Sequence, residues 1–92
     1  MKLFDTHAHL FSDMYGEKIT PVLSQAREVG VVRILNVGID LETSREVCSA
    51  AGSCEEGPDI KAGVGIHPGS ADQASDKVFR ELRALSAESG VI

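Results

Sequence analysis

The clearest β-strand of the sequence is predicted at Val31-Val32-Arg33-Ile34-Leu35-Asn36-Val37, which lies between Gly30 and Gly38. The segment is rich in β-branched residues and is almost continuously apolar. Strands that are covered on both faces of a parallel sheet have this composition, whereas half-exposed strands alternate between apolar and polar residues. The segment therefore predicts a buried strand of an α/β protein.

Helices are predicted on both sides of this strand. Upstream, Thr20-Pro21 has the pattern of a helix start, with a hydroxyl cap followed by proline at the first helical position, and Gly30 closes the helix. Downstream, Asp40 can cap a second helix, and Gly52 supplies its stop. The strand therefore connects two helices, as in a β/α repeat.

Further strands are predicted at regular intervals, with onsets near Leu3, Val31, Ile60 and Val91. The third strand extends to Ile66, and a third helix follows it from near Asp76 towards Gly90. Onsets about 30 residues apart match one βαβ step, and such a series predicts parallel strands with right-handed crossovers. A (β/α)8 TIM barrel needs about 250 residues, so this chain supplies about three of its βα units. We expect residues 1–92 to be the amino-terminal part of a single barrel, truncated at the start of strand four.

A small flavodoxin-like or Rossmann-like domain, complete as given, is the alternative fold. Two observations count against it. No Gly-x-Gly-x-x-Gly follows the first strand, and the fourth strand has barely begun at Val91.

A polar motif, Asp5-Thr6-His7-Ala8-His9-Leu10, closes the first predicted strand. Side chains alternate between the two faces of a strand, so His7 and His9 point the same way and can bind one divalent cation. Asp5 is suited either to bind a cation itself or to orient an imidazole. His-x-His is a weak signal alone, but β/α folds place their sites at the carboxyl ends of parallel strands. We therefore predict a metal site here.

Composition is that of a soluble globular domain, with 42% hydrophobic and 25% charged residues. A net charge of -5 gives no bulk electrostatic case for nucleic-acid or membrane binding, although bound cations would supply positive charge to a nuclease site. Cys48 and Cys54 match neither a disulfide framework nor a zinc pattern, and Glu55 and Glu56 are predicted in a solvated loop. No segment has the pattern of a membrane span or a signal peptide, so we expect a cytoplasmic protein.

Three motifs together resemble the TatD family of metal-dependent deoxyribonucleases, which belongs to the amidohydrolase-like barrels. They are Asp5-Thr6-His7-Ala8-His9-Leu10, Asn36-Val37-Gly38 at the end of the second strand and Gly63-Val64-Gly65-Ile66-His67-Pro68 at the end of the third. They match the family in identity, order and spacing, and the resemblance runs from Lys2 to Ile92.

The resemblance implies a hydrolase that binds one or two divalent metal ions, zinc, manganese or magnesium, and cleaves the phosphodiester bonds of DNA. In this chain His7 and His9 match the family's two amino-terminal metal ligands. His67 matches a histidine at the mouth of the site, for which contact with the substrate phosphate is the preferred role. Asp5 matches the first acid of the motif, for which a supporting role is preferred over direct ligation.

The chain departs from the family in two respects. The family commonly continues His-Pro-His where this chain has His67-Pro68-Gly69. The family's bridging glutamate after strand four, its two later histidines and the aspartate of its carboxyl-terminal half all fall beyond Ile92. We therefore expect the 92 residues alone to be inactive.

Two other functions remain open at this stage. One is a non-catalytic fragment that at most binds metal or self-associates through its open sheet edge. The other keeps the barrel and its metals but hydrolyses an amide, an ester or a lactone, because fold does not settle reaction. The oligomeric state and the choice between endonuclease and exonuclease action are also open.

Overall fold

The computed structural model describes residues 1–52 and 57–92. These residues form an open parallel sheet whose strands alternate with helices. The elements are β1 (Leu3–Ala8), α1 (Ser12–Tyr15), α2 (Ile19–Glu28), β2 (Val31–Val37), α3 (Leu41–Ala50), β3 (Asp59–Gly63) and α4 (Asp76–Ser86), with 3-10 turns at Gly16–Lys18 and Pro68–Gln73. The strand order is β1-β2-β3, and both neighbouring pairs are parallel. The α/β prediction is confirmed, and the arrangement is consistent with the amino-terminal βα units of a barrel.

The last residues of the chain lie against β3. Val91 forms a parallel bridge with Ala62. The N–H of Ala62 donates to the carbonyl of Gly90 at 2.8 Å, and the N–H of Ile92 donates to the carbonyl of Ala62 at 2.9 Å. The backbone therefore begins a further parallel strand at the position that the sequence predicts.

The core lies between the sheet and α3. Its buried cluster consists of Phe11, Val47, Cys48 and Ala62. The buried face of α3 consists of Ser44, Val47 and Cys48. By contrast, β1 is an edge strand that is exposed at every residue from Leu3 to His7.

The start of α3 follows the predicted capping. The Asp40 side chain accepts a hydrogen bond from the N–H of Thr43 at 2.8 Å, and the Thr43 hydroxyl oxygen accepts one from the N–H of Asp40 at 3.1 Å. This reciprocal capping box satisfies two backbone donors that the helix leaves without an internal partner.

The predicted start of α2 is wrong. Thr20 does not cap α2, because the 3-10 turn at Gly16–Lys18 runs directly into the helix and the chain is already helical at Ile19. The short helix α1 at Ser12–Tyr15 follows the histidine motif. Its first N–H, on Ser12, is held by the Glu46 carboxylate of α3 at 2.6 Å.

The third strand is shorter than predicted. It ends at Gly63 rather than at Ile66, because the next backbone groups bond outside the sheet. The N–H of Gly65 donates to the Ser44 hydroxyl oxygen at 3.1 Å, and the N–H of His67 donates to the carbonyl of Ile39 at 2.7 Å. The predictions for Cys54, Glu55 and Glu56 lie outside the described residues.

Among the helices of the described residues, none combines the length and the apolar character that crossing a membrane requires.

Candidate metal centre

The two motif histidines lie at the carboxyl end of β1, where the strand is irregular. Asp5 pairs with Ile34 and Ala8 with Asn36, so β1 spans one residue more than β2 over the same interval. Such a bulge leaves one residue out of regular pairing. In this interval the Asp5 carboxylate accepts a hydrogen bond from the N–H of His7 at 3.0 Å. Asp5 therefore holds the backbone that carries His7.

The imidazoles of His7 and His9 meet edge to face, and their Nε2 atoms are 3.2 Å apart. The Nδ1 atom of His9 lies 2.8 Å from the carbonyl oxygen of Val37. Because a carbonyl oxygen only accepts, this contact places the proton of a neutral His9 ring on Nδ1 and leaves a lone pair on Nε2. A backbone carbonyl is a common partner for the second nitrogen of a metal-bound histidine.

The spacing of the two Nε2 atoms suits a shared cation. Two nitrogens at about 2.0–2.1 Å from a tetrahedral zinc ion lie roughly 3.3 Å apart. The 3.2 Å separation of the His7 and His9 Nε2 atoms is close to this distance. The residues present therefore fit a divalent ion as two of its ligands.

The pair is not joined by a third ligand from the part of the chain that the structure describes. Within residues 1–52 and 57–92, no three histidine, cysteine or carboxylate side chains lie close enough together to hold a metal ion. Asp5 is accordingly not placed beside the two imidazoles as a ligand. Two imidazoles leave half of the coordination positions of a tetrahedral zinc ion to other groups.

His67 lines one groove together with the two motif histidines. The groove has a volume of about 190 Å³, and its lining includes His7, His9, Val37 and His67. The Nδ1 atom of His67 accepts a hydrogen bond from the N–H of Gly69 at 3.0 Å. In the neutral ring the proton is then on Nε2, which makes that atom a hydrogen-bond donor. A donor suits an anionic oxygen better than a metal ion.

A second hollow of about 420 Å³ adjoins the histidines. It is lined by His9, Phe11, Asp13, Met14, Ile39 and His67. Phe11 is buried beneath it, while Met14 is well exposed. The hollow gives the site a mixed apolar and acidic flank next to the groove, formed mainly by α1 and the residues before it.

Two buried polar residues, Asn36 and Ser44, support the site, and the sequence alone assigns a role to neither. The Oδ1 atom of Asn36 accepts from the N–H of Leu10 at 2.8 Å. The Ser44 hydroxyl bonds both the N–H and the carbonyl of Gly65, at 3.1 and 3.3 Å. The sequence signal for Asn36 is a polar residue inside an otherwise apolar strand, but its partner is not readable from sequence.

The fold and the site together define a class of protein. Parallel strands alternate with helices, and a histidine pair with metal-binding geometry lies where the first strand ends, as in metal-dependent hydrolases of the β/α type. Residues 4–92 match the family model described as TatD related DNase. The chain belongs to this family, whose recognition from the three sequence motifs is thereby confirmed.

Two curated relatives carry related names. The chain is 34% identical over 90 residues to the "Uncharacterized metal-dependent hydrolase YabD" of Bacillus subtilis (strain 168), an alignment that covers 98% of this chain and 34% of that protein. It is 49% identical over 41 residues to the "Uncharacterized metal-dependent hydrolase in metS 3'region" of Geobacillus stearothermophilus, covering 45% of this chain and 84% of that sequence. The chain thus spans about one third of the length of YabD.

Proposed function

We propose that the protein to which these residues belong hydrolyses phosphodiester bonds of DNA with the help of one or two divalent metal ions. The observation that supports this best is the histidine pair, with Nε2 atoms 3.2 Å apart, in one groove with His67. Membership of the TatD related DNase family supports the choice of DNA as the substrate. Because two imidazoles hold an ion weakly, the proposal concerns the whole protein and not these 92 residues alone.

His7 and His9 are the proposed metal ligands, through their Nε2 atoms. Imidazole donors favour zinc or manganese, while magnesium would require that oxygen ligands dominate the rest of the site. A bound divalent ion supplies an activated water at neutral pH and charge stabilisation for phosphate oxygens.

Asp5 and His67 have separate proposed roles. Asp5 holds the N–H of His7 and so fixes the backbone of the first ligand. His67, whose Nδ1 is occupied by the N–H of Gly69, would donate from Nε2 to a phosphate oxygen of the substrate. This donor would stabilise the negative charge that builds up on the phosphate oxygens as the phosphorus is attacked.

The test uses the whole protein, freed of metal and then given manganese, zinc or magnesium. We expect it to degrade DNA, and we expect His7→Ala and His9→Ala to abolish both this activity and metal binding measured by calorimetry. His67→Ala is the matched variant, because it should lower the rate by about 10²-fold, the usual loss for one charge-stabilising donor, while metal affinity is retained. A folded protein that binds metal yet leaves DNA intact with all three ions would rule out the proposal, and ester, amide and lactone substrates would then be tried.

A further inference from the structure

Asn36 is a polar side chain that is almost completely buried, with 1% of its surface exposed. Burying an amide group is unfavourable unless its polar atoms are hydrogen-bonded. Within residues 1–52 and 57–92, the side-chain amide of Asn36 meets this requirement at a single residue, Leu10. Its Oδ1 accepts from the N–H of Leu10 at 2.8 Å, and its Nδ2 approaches the carbonyl of Leu10 at the longer distance of 3.5 Å.

The position of Leu10 links this amide to the metal centre. Leu10 directly follows His9 in the chain, and Val37 directly follows Asn36. The Val37 carbonyl is the group that accepts from His9 Nδ1 at 2.8 Å. Two consecutive residues of β2 therefore hold two consecutive residues at the end of the histidine motif. Asn36 holds the backbone, and Val37 holds the imidazole ring.

We infer that Asn36 is a positioning residue for His9. By fixing the backbone of Leu10, it keeps the Nδ1 atom of His9 within hydrogen-bond distance of the Val37 carbonyl oxygen. The proton therefore stays on Nδ1, and the lone pair on Nε2 faces His7. The link to metal binding rests on the proposed function, whereas the effect on the ring is a property of the protein without metal.

A purely structural role for Asn36 would have a different signature. Replacing any buried core residue lowers the free energy of unfolding, and a general loss of stability leaves the tautomer of a folded histidine ring unchanged. If Asn36 acts through His9, its replacement changes which nitrogen of that ring carries the proton. The tautomer therefore separates the two roles.

The experiment is nitrogen NMR on histidine-labelled whole protein without metal, with the His9 signals assigned from their loss in His9→Gln. We expect His9 to carry its proton on Nδ1 in the unmodified protein and to populate both tautomers in Asn36→Leu, which cannot hold Leu10. Asn36→Asp keeps an oxygen for the N–H of Leu10 and should restore the Nδ1 tautomer. If Asn36→Leu does not fold, Asn36→Ser replaces it with the same expectation, because its side chain is too short to reach.

Val47→Ala is the matched control. Val47 is completely buried in the core on α3, and its apolar side chain cannot hydrogen-bond to Leu10 or His9. This variant should be destabilised and yet retain the Nδ1 tautomer of His9. An Asn36→Leu protein whose His9 keeps a single Nδ1 tautomer would overturn the inference, as would an equal change of tautomer in Val47→Ala.

Metal affinity gives a second readout. Calorimetry with zinc or manganese should show affinity 10- to 100-fold weaker in Asn36→Leu, the usual effect of removing a group that orients a metal ligand. Unchanged affinity would refute the link to the metal. Neither measurement involves DNA, so failure of the nuclease proposal would show as an inert protein in which Asn36 still controls the His9 ring.

Discussion

Replacing Gly38 by alanine should destabilise the fold, because the residue has no space for a side chain. Gly38 lies between the end of β2 and the start of α3. An ideal Cβ there would lie 2.5 Å from the Oγ and 2.6 Å from the Cα of Ser44. The Cα belongs to the backbone of α3 and cannot rotate away. The helix would have to move outwards, and the Ser44 hydroxyl would move away from Gly65, which it holds at 3.1 Å.

Gly65 provides a matched control for the size of the effect. Apart from its two chain neighbours, no residue that the structure describes has an atom within 4 Å of an ideal Cβ at this position. Both substitutions reduce the conformational freedom of the unfolded chain, which by itself stabilises a protein by about 0.4–1 kcal/mol. Overpacking costs about 1–3 kcal/mol, and it applies only at Gly38. We expect Gly38→Ala to lose about 2 kcal/mol of unfolding free energy, whereas Gly65→Ala should be neutral or gain about 0.5 kcal/mol.

The assay is urea unfolding of the whole protein, followed by circular dichroism for the unmodified protein and both variants. A lower midpoint with an unchanged slope would indicate a stability difference and no change in the unfolded state. If the two variants had unfolding free energies within about 0.5 kcal/mol of each other, the steric argument at Gly38 would be wrong.

Two further predictions concern α3. Asp40→Ala removes the capping box at its start and should cost about 1 kcal/mol in urea unfolding, while an undiminished midpoint would show that the cap contributes nothing. Burial, and to a lesser extent the charge of Glu88, raise the pKa of the Cys48 thiol above its ordinary value of 9.0. Because the thiolate is the reactive form, alkylation in a Cys54→Ser background should be slow at neutral pH and should accelerate only above pH 9.0; rapid neutral modification would contradict this.

The parts of the fold that depend on local patterns were predictable from sequence. The continuous apolarity of Val31–Val37 gives both bounds of β2, and Asp40 gives the start of α3. The same reasoning fails where a tertiary contact determines the end of an element. The end of β3 is set by the Ser44 hydroxyl, which binds Gly65 from another element, and no local pattern around Ile66 records this contact.

In the candidate site, too, the local pattern predicts some features and tertiary contacts determine the others. Strand alternation predicts that His7 and His9 point the same way from β1, and the structure brings their imidazoles together. The groups that orient them are backbone atoms or side chains distant in sequence, such as the Val37 carbonyl and the amide of Asn36. Whether these groups reach His9 and Leu10 depends on the register between β1 and β2, and the amino-acid composition does not determine that register. Whether His7, His9, Asp5 and His67 act as proposed stays a prediction.

The extra residue in β1 between Asp5 and Ala8 limits how this part of the protein can change during evolution. Substitutions there alter one side chain at a time. Removing or adding one residue would instead shift every later side chain by one position relative to β2. His7 and His9 would then no longer point the same way, or His9 would lose its contact with the Val37 carbonyl. Related sequences should therefore keep the length of this strand constant, and insertions should accumulate in the connections between elements.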